Sequence, residues 1–188
     1  STREGSPVTT AKVLDDRGAK AIGKPVGTYV TVDLSALVRR EEDAFGRAAR
    51  AVAAELSALL KLPEGAPALV VGLGNRAITP DNIGPAAADH TMVTRHLVEQ
   101  VPEHFGSFRP VAALAAGVLG TTGVESGELV RAVTEKIRPS CVIAVDALAS
   151  RSLSRVCTTV QLADTGIVPG SGVGNARFAH NQETLGVP

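Results

Sequence analysis

The stretch "VVGLGNRAITPDNIGP", Val70 to Pro85, decides the fold. Its apolar start and Gly-Leu-Gly ending read as a short buried strand that stops at a sharp turn. Gly72-Leu73-Gly74-Asn75-Arg76-Ala77 also fits the GxGxx(G/A) spacing of dinucleotide-binding folds. In those folds the next helix begins at once, so that its N-terminus meets the pyrophosphate. Here Pro80 follows three residues after the motif. Inside such a helix it would remove a donor and clash with the preceding turn. It suits the first position of a later helix, or a loop. Glycines that simply permit an abrupt turn are therefore the preferred reading over a phosphate cradle.

Working outward, the hydrophobic pattern alternates between two periods. Phe45, Ala48, Ala49, Val52, Ala53, Leu56, Leu59 and Leu60 recur at three- and four-residue steps. That spacing predicts an amphipathic helix from Glu41, with Arg39, Arg40, Arg47, Arg50 and Glu55 on or near its wet side. "LPEGAP" (62–67) breaks it. Before it, "VTTAKVL" (8–14) and "GTYVTVDL" (27–34) read as strands, with "DDRG" (15–18) as a turn. After Pro85 a helix is expected through "AAADHTMVTRHLVEQ" (86–100), then strand "VAALAAG" (111–117), helix "SGELVRAVTEKI" (126–137) and strand "CVIAVDAL" (141–148). "TTVQLADTG" (158–166) is strand-like and leads into the Gly-rich "VPGSGVGN" (168–175). Alternating strands and helices predict an α/β three-layer sandwich with a largely parallel central sheet, plus an N-terminal β-hairpin.

Composition narrows the function classes. The 188 residues suit one domain with a real core. Net charge is zero and only 3% of residues are aromatic. A nucleic-acid binder would need a basic stripe or stacking rings, so no nucleic-acid partner is expected. No apolar run reaches the roughly 20 residues of a membrane span. "STREGSPVTT" lacks the basic-then-apolar order of a signal peptide. These features predict a soluble intracellular protein. Cys141 and Cys157 are not in CxxC spacing, and Cys141 opens an apolar run, which suits a small core residue.

Two carboxylates stand out by position. Asp81 lies just past the Gly-Leu-Gly turn, and Asp146 follows "CVIAV" at the expected carboxyl end of another strand. Ligands of open α/β sheets gather at those ends. Two carboxyl groups meeting there would share a proton, and the pair could activate a water and protonate a leaving group. The simpler alternative, that each Asp caps the following helix, stays open. Asp164-Thr165-Gly166 copies the Asp-Thr-Gly of pepsin-like proteases. That chemistry needs two such loops on β-rich lobes, so Asp164 is read first as a turn-forming residue and kept second as a third carboxylate near the sheet edge. "PGSGVGN" (169–175) has neither a P-loop ending nor a GxSxG pattern. Its Gly170, Ser171 and Gly172, with Asn75, are kept as candidates for lining the cleft. His90, His96, His104 and His180 form no HExxH motif and are expected on the surface or in packing, so neither a metal nor any other cofactor is expected.

With these segments in view, the chain resembles the germination protease family of endospore-forming bacteria. The resemblance rests on "GAKAIGKPVGTYVT", "VVGLGNRAITPDNIGP", "TRHL", "GVLGTTGVES", "VIAVDALASRS", "TTVQLADTGIVPGSGVGN" and "ETLGVP", in order along the chain. It implies an atypical aspartic endopeptidase of the spore core that starts the degradation of small acid-soluble spore proteins during germination. The two aspartates proposed as catalytic in the family fall on Asp81 and Asp146. The resemblance further implies a zymogen with a self-cleaved propeptide and a homotetramer. It implies a fold like that of the nickel-hydrogenase maturation peptidases, where a similar Gly-x-Gly-Asn turn precedes a nickel-binding acid. One departure is local: Ala116-Gly117-Val118-Leu119-Gly120 stands where the family usually has Pro-Gly-Val-Met-Gly. Family members also continue past "LGVP", so residues 1–188 are expected to be a peptidase domain shorter at its C-terminus than the natural protein. The alternatives are a metal-dependent maturation peptidase, a nucleotide-binding module and an assembly domain without activity.

Overall fold

The computed structural model describes residues 1–150, 152–170 and 178–188. Among the described residues the strands are β1 (Thr2–Arg3), β2 (Ser6–Val13), β3 (Gly27–Asp33), β4 (Ala68–Leu73), β5 (Val111–Gly117), β6 (Cys141–Val145) and β7 (Thr159–Ala163). The helices are α1 (Asp16–Ile22), α2 (Ser35–Val38), α3 (Ala44–Leu60), α4 (Ile83–Asp89), α5 (Arg95–Gln100), α6 (Pro102–Phe105), α7 (Leu119–Thr122), α8 (Ser126–Ile137) and α9 (Gln182–Leu185). They divide between two compact units, residues 1–61 with 150–165 and residues 62–149 with 166–188.

The first unit holds a four-stranded sheet in the order β1-β2-β3-β7, antiparallel at every pairing. The expected hairpin is there, with Val8 opposite Val32. It gains β7, which the alternation of strands and helices had placed with the parallel sheet. Val8, Val30, Val32 and Ala51 form the core, with Val52, Leu59 and Leu162 against it. Burying each large aliphatic side chain contributes about 1.5–3 kcal/mol. Helix α3 meets this core along Ala44, Ala48, Ala51 and Glu55, leaving Phe45 77% exposed. Both ends of that register differ from the expected face. Glu55 was expected near water but is buried, because the Arg3 guanidinium on β1 donates to it at 2.9 Å. The expected turn at 15–18 is the start of α1, whose first turn is closed by the Gly18 N–H donating to Asp15 Oδ1 at 2.8 Å.

The second unit carries a three-stranded parallel sheet in the order β5-β4-β6. Strand β4 is central and buried along nearly its whole length, as a parallel strand covered on both faces must be. Leu69, Val71 and Leu73 point to one face and join Ala116, Val130 and Leu185 from β5, α8 and α9. The opposite face meets α4. Helices thus pack on both faces of a three-stranded parallel sheet. The helix expected across 86–100 is instead two helices, α4 and α5. Between them Thr94 is buried, its backbone N–H donating to the Val111 carbonyl at 3.0 Å and its hydroxyl accepting the Val111 N–H at 2.9 Å. Those bonds tie the chain to the start of β5 and end the helical path.

Candidate active site

Three glycines shape the end of β4. A Cβ on Gly72 would collide with the Gly84 carbonyl, and one on Gly84 with the backbone of Leu73. Gly74 has φ +116, and a Cβ there would collide with the Asp81 carbonyl. The loop 75–83 therefore folds back with its backbone directly against the strand end, which only residues without side chains allow. Pro80 lies in a single 3-10 turn, Thr79–Asp81, where a missing N–H costs nothing. No helix starts at Gly74, so the phosphate-cradle geometry is absent from this turn.

The returning loop delivers Asp81 beside the strand end. Its Oδ2 accepts the Asn75 backbone N–H at 2.7 Å. The Asn75 side chain closes its own turn, its Oδ1 accepting the Ala77 N–H at 2.9 Å. Asn75 thus holds Asp81 through its main chain. The next residue, Arg76, is engaged by Asp89 through both terminal nitrogens.

Asp146 reaches the same place from the neighbouring strand. Gly72 pairs with Val145 across β4 and β6, so Asp146 is the first residue beyond the ladder. Its Oδ1 accepts the Ala147 N–H at 2.8 Å. Partial burial pushes the Asp146 carboxyl above its ordinary range; the Ala147 bond opposes this, and the negative charge of Asp81 adds to it. Asp146 thus feels the charge of Asp81 where β4 and β6 end side by side. Neither acts as a helix cap: no side-chain cap bond is made at α4, and no helix begins at Asp146.

Asp164 belongs to the antiparallel unit, where its carboxylate accepts the Thr28 N–H at 2.7 Å and so closes the end of the β3–β7 pairing. Gly170 is a half-buried turn residue with φ +73. Ser171 and Gly172 lie outside the described residues. His180 is buried at 2% exposure with no partner for either ring nitrogen among the described residues, and burial lowers its pKa. Cys141 is buried and its thiol is pushed up by burial, while Cys157 is exposed; both are free. Among the described residues no three His, Cys, Asp or Glu side chains gather as a metal cluster, and no helix is long and apolar enough to cross a membrane. Gly84 was not singled out in sequence, although a glycine before proline in a loop entering a helix signals close backbone approach. Asn82, beside Asp81, was also missed; its buried Oδ1 has no partner.

Comparison with known proteins bears on this arrangement. The family model described as germination protease matches residues 1–188. A germination protease of Clostridium perfringens is 48% identical over 189 residues, covering 100% of this chain and 58% of the relative. One from Caldanaerobacter subterraneus is 48% identical, covering 98% of this chain and 57% of the relative. One from Priestia megaterium is 42% identical, covering 98% and 51%. The chain therefore spans little more than half the length of the curated relatives it matches.

Proposed function

The chain belongs to the germination protease family, and on that premise we propose that it is part of an endopeptidase whose Asp81 and Asp146 hydrolyse peptide bonds through one shared proton. The observation that carries this reading is the raised pKa of Asp146 at a strand end, with Asp81 among its causes. The other carboxylates with a clear shift, Asp15, Asp33, Glu41 and Asp89, are all shifted downward by hydrogen-bonding partners. An upward shift in a strand-end crevice is the signature of a working acid.

The chemistry follows from that asymmetry. Asp146 holds the proton, and Asp81 is the base, anchored by the Asn75 N–H. Asp81 removes a proton from a water placed between the two groups, and the water oxygen attacks the scissile carbonyl carbon. Asp146 gives its proton to the developing oxyanion or the departing amine. Collapse of the tetrahedral species breaks the C–N bond, and the proton taken by Asp81 restores the pair. The substrates proposed are small acid-soluble spore proteins in the spore core, and the assembly proposed is a homotetramer, both as the family implies. The parallel sheet and its Gly-x-Gly-Asn turn support kinship with the hydrogenase maturation peptidases at the level of fold.

The test is kinetic. Asp81→Asn and Asp146→Asn, made in the full-length protein, are each expected to lower cleavage of an acid-soluble spore protein by about 10³-fold or more, within the range general acid–base groups contribute. Circular dichroism should show the fold retained. Wild-type rates in either variant would sink the pair.

A further inference from the structure

Helix α3 carries more apolar surface than its own unit uses. Successive residues step by about 100° around a helix. Ala44, Ala48, Ala51 and Glu55, which face the core, fill one arc of about 60°. Phe45, Ala49, Ala53, Leu56 and Leu60 fill a second arc of about 80°, centred about 130° away. The helix brings no charged or polar residue to that second arc. Phe45, Ala49 and Ala53 are exposed there, and Leu56 and Leu60 are only half-buried. The cations beside the arc are already taken, Arg47 donating to Glu41 at 3.0 Å and Arg50 to Asp43 at 2.8 Å. A contiguous exposed apolar strip marks an interaction surface, and a charged partner would find nothing here to pair with.

The order of side-chain sizes says which partner fits. Along the strip the large Phe45 is followed by the small Ala49 and Ala53, and then by the large Leu56. That order reads nearly the same in both directions about a point level with Ala51. Two copies of α3 crossing antiparallel on a two-fold axis at that point set Phe45 of each copy over Leu56 of the other. Ala49 and Ala53 then meet in the middle, where small side chains let two helices approach to about 8 Å. A two-fold interface has to be self-complementary in this way. Charge agrees with it. The chain has 19 basic and 19 acidic residues, so two copies do not repel each other through net charge. We propose that the outer face of α3 is a two-fold interface between two copies of this chain, anchored by Phe45. The proposal gives a surface and a symmetry to the homo-oligomer proposed above, and rests on that part of the reading; it does not involve the aspartate pair.

The experiment follows the full-length protein by sedimentation velocity over a concentration series. The wild type is expected to sediment as a dimer or a multiple of one. Phe45→Glu should raise the dissociation constant of one interface by about 100-fold or more, as losing a buried aromatic anchor does, and so halve the assembly at micromolar concentration. Phe45 lies outside its own core, so the melting curve of the dissociated variant should show a folded protein. Ala49→Cys and Ala53→Cys, made as separate proteins in a Cys157→Ser background that removes the exposed native thiol, give an independent test. Mixed, exchanged and mildly oxidised, they should form a covalent heterodimer faster than either protein pairs with itself. An assembly that Phe45→Glu leaves unchanged at every concentration overturns the proposal, as does a cysteine pair that never cross-links. So does an unchanged assembly with a melting temperature several degrees lower, which would mean that the rest of the full-length chain covers the strip. Failure of the underlying reading looks different. If the wild type is only a dimer and Phe45→Glu is a monomer, the interface stands and the tetramer falls. If both are tetramers, the tetramer stands and the interface falls.

Discussion

The antiparallel and parallel units solve the same burial problem with different side chains. In the antiparallel sheet, exposed and buried positions mix along β2, and its carboxylates have partners: Glu55 with Arg3, Glu41 with Arg39 and Arg47, Asp43 with Arg50. In the parallel sheet β4 is covered on both faces, and its strands end together on one side. Among the described residues Asp146 has no ion-pair partner at that edge; it is partly desolvated and feels the negative charge of Asp81. A carboxylate with a cation stabilises or does nothing measurable. One held near another carboxylate at a strand end costs stability and is available for chemistry. The contrast thus separates ion-paired acids from a desolvated one by their surroundings.

The largest expected effect tests that separation directly. Asp146→Asn should cost about 10³-fold or more in peptidase turnover, while Asp33→Asn should leave the rate within about twofold. Asp33 accepts the Ser35 N–H at 2.8 Å in the antiparallel unit, and the Ser35 side chain together with that bond holds its carboxyl low. Its loss falls on local stability, at about 1 kcal/mol. Equal rate losses in the two variants would end the distinction between the units.

Next in size is the backbone packing. Gly84→Ala should destabilise the protein by about 3 kcal/mol or more, because the added methyl meets Leu73 and Val145 backbone atoms that cannot yield. Gly46→Ala in the antiparallel unit should cost less, since the nearest atoms belong to the Asp43 and Arg50 side chains, which can swing aside. Denaturant midpoints of the two variants check the order, and a milder Gly84→Ala would mean the strand-end packing is looser than described.

How much of this was legible in sequence follows from what each feature depends on. Periodicity located α3, α8 and the strands, because it reports which residues leave water. It mistook the register of α3 because Phe45 and Glu55 trade places once Arg3 neutralises a buried carboxylate, and that partner is 52 residues away. The fate of β7 was hidden for a similar reason: pairing with β3 is a tertiary choice that the local pattern of "TTVQLADTG" does not encode. The strand-end positions of Asp81 and Asp146 were legible because a strand followed by an acid is a local signal.

A smaller effect concerns the buried imidazole of the parallel unit. Burial lowers the folded pKa of His180 below its ordinary 6.5. The unfolded chain then takes up the proton first as pH falls, so stability present above 6.5 is lost on acidification through that window. His180→Leu removes both the unpaired nitrogens and the titration. It should raise stability by about 1 kcal/mol at neutral pH and by more at pH 5. A variant whose advantage shrinks on acidification would show that His180 is protonated with a partner.

The smallest effect is also the sharpest statement of the contrast. Asp146 has its folded pKa raised above the ordinary 3.8. The folded protein therefore holds that proton more tightly than the unfolded chain does. Its favourable contribution is complete below 3.8, declines as pH rises through the raised folded value, and is gone above it. Asparagine keeps the acceptor for the Ala147 N–H but cannot ionise. Asp146→Asn should thus match the wild type most closely in acid and gain on it toward neutral pH, melting a few degrees higher there although inactive. Asp81→Asn removes one of the charges that raise Asp146, so in that background the window in which Asp146→Asn gains should narrow. Thermal melts of the wild type, both single variants and the double variant between pH 3 and pH 8 give the comparison. If the gain of Asp146→Asn is the same whether or not Asp81 is present, the two carboxylates do not feel each other and cannot share a proton.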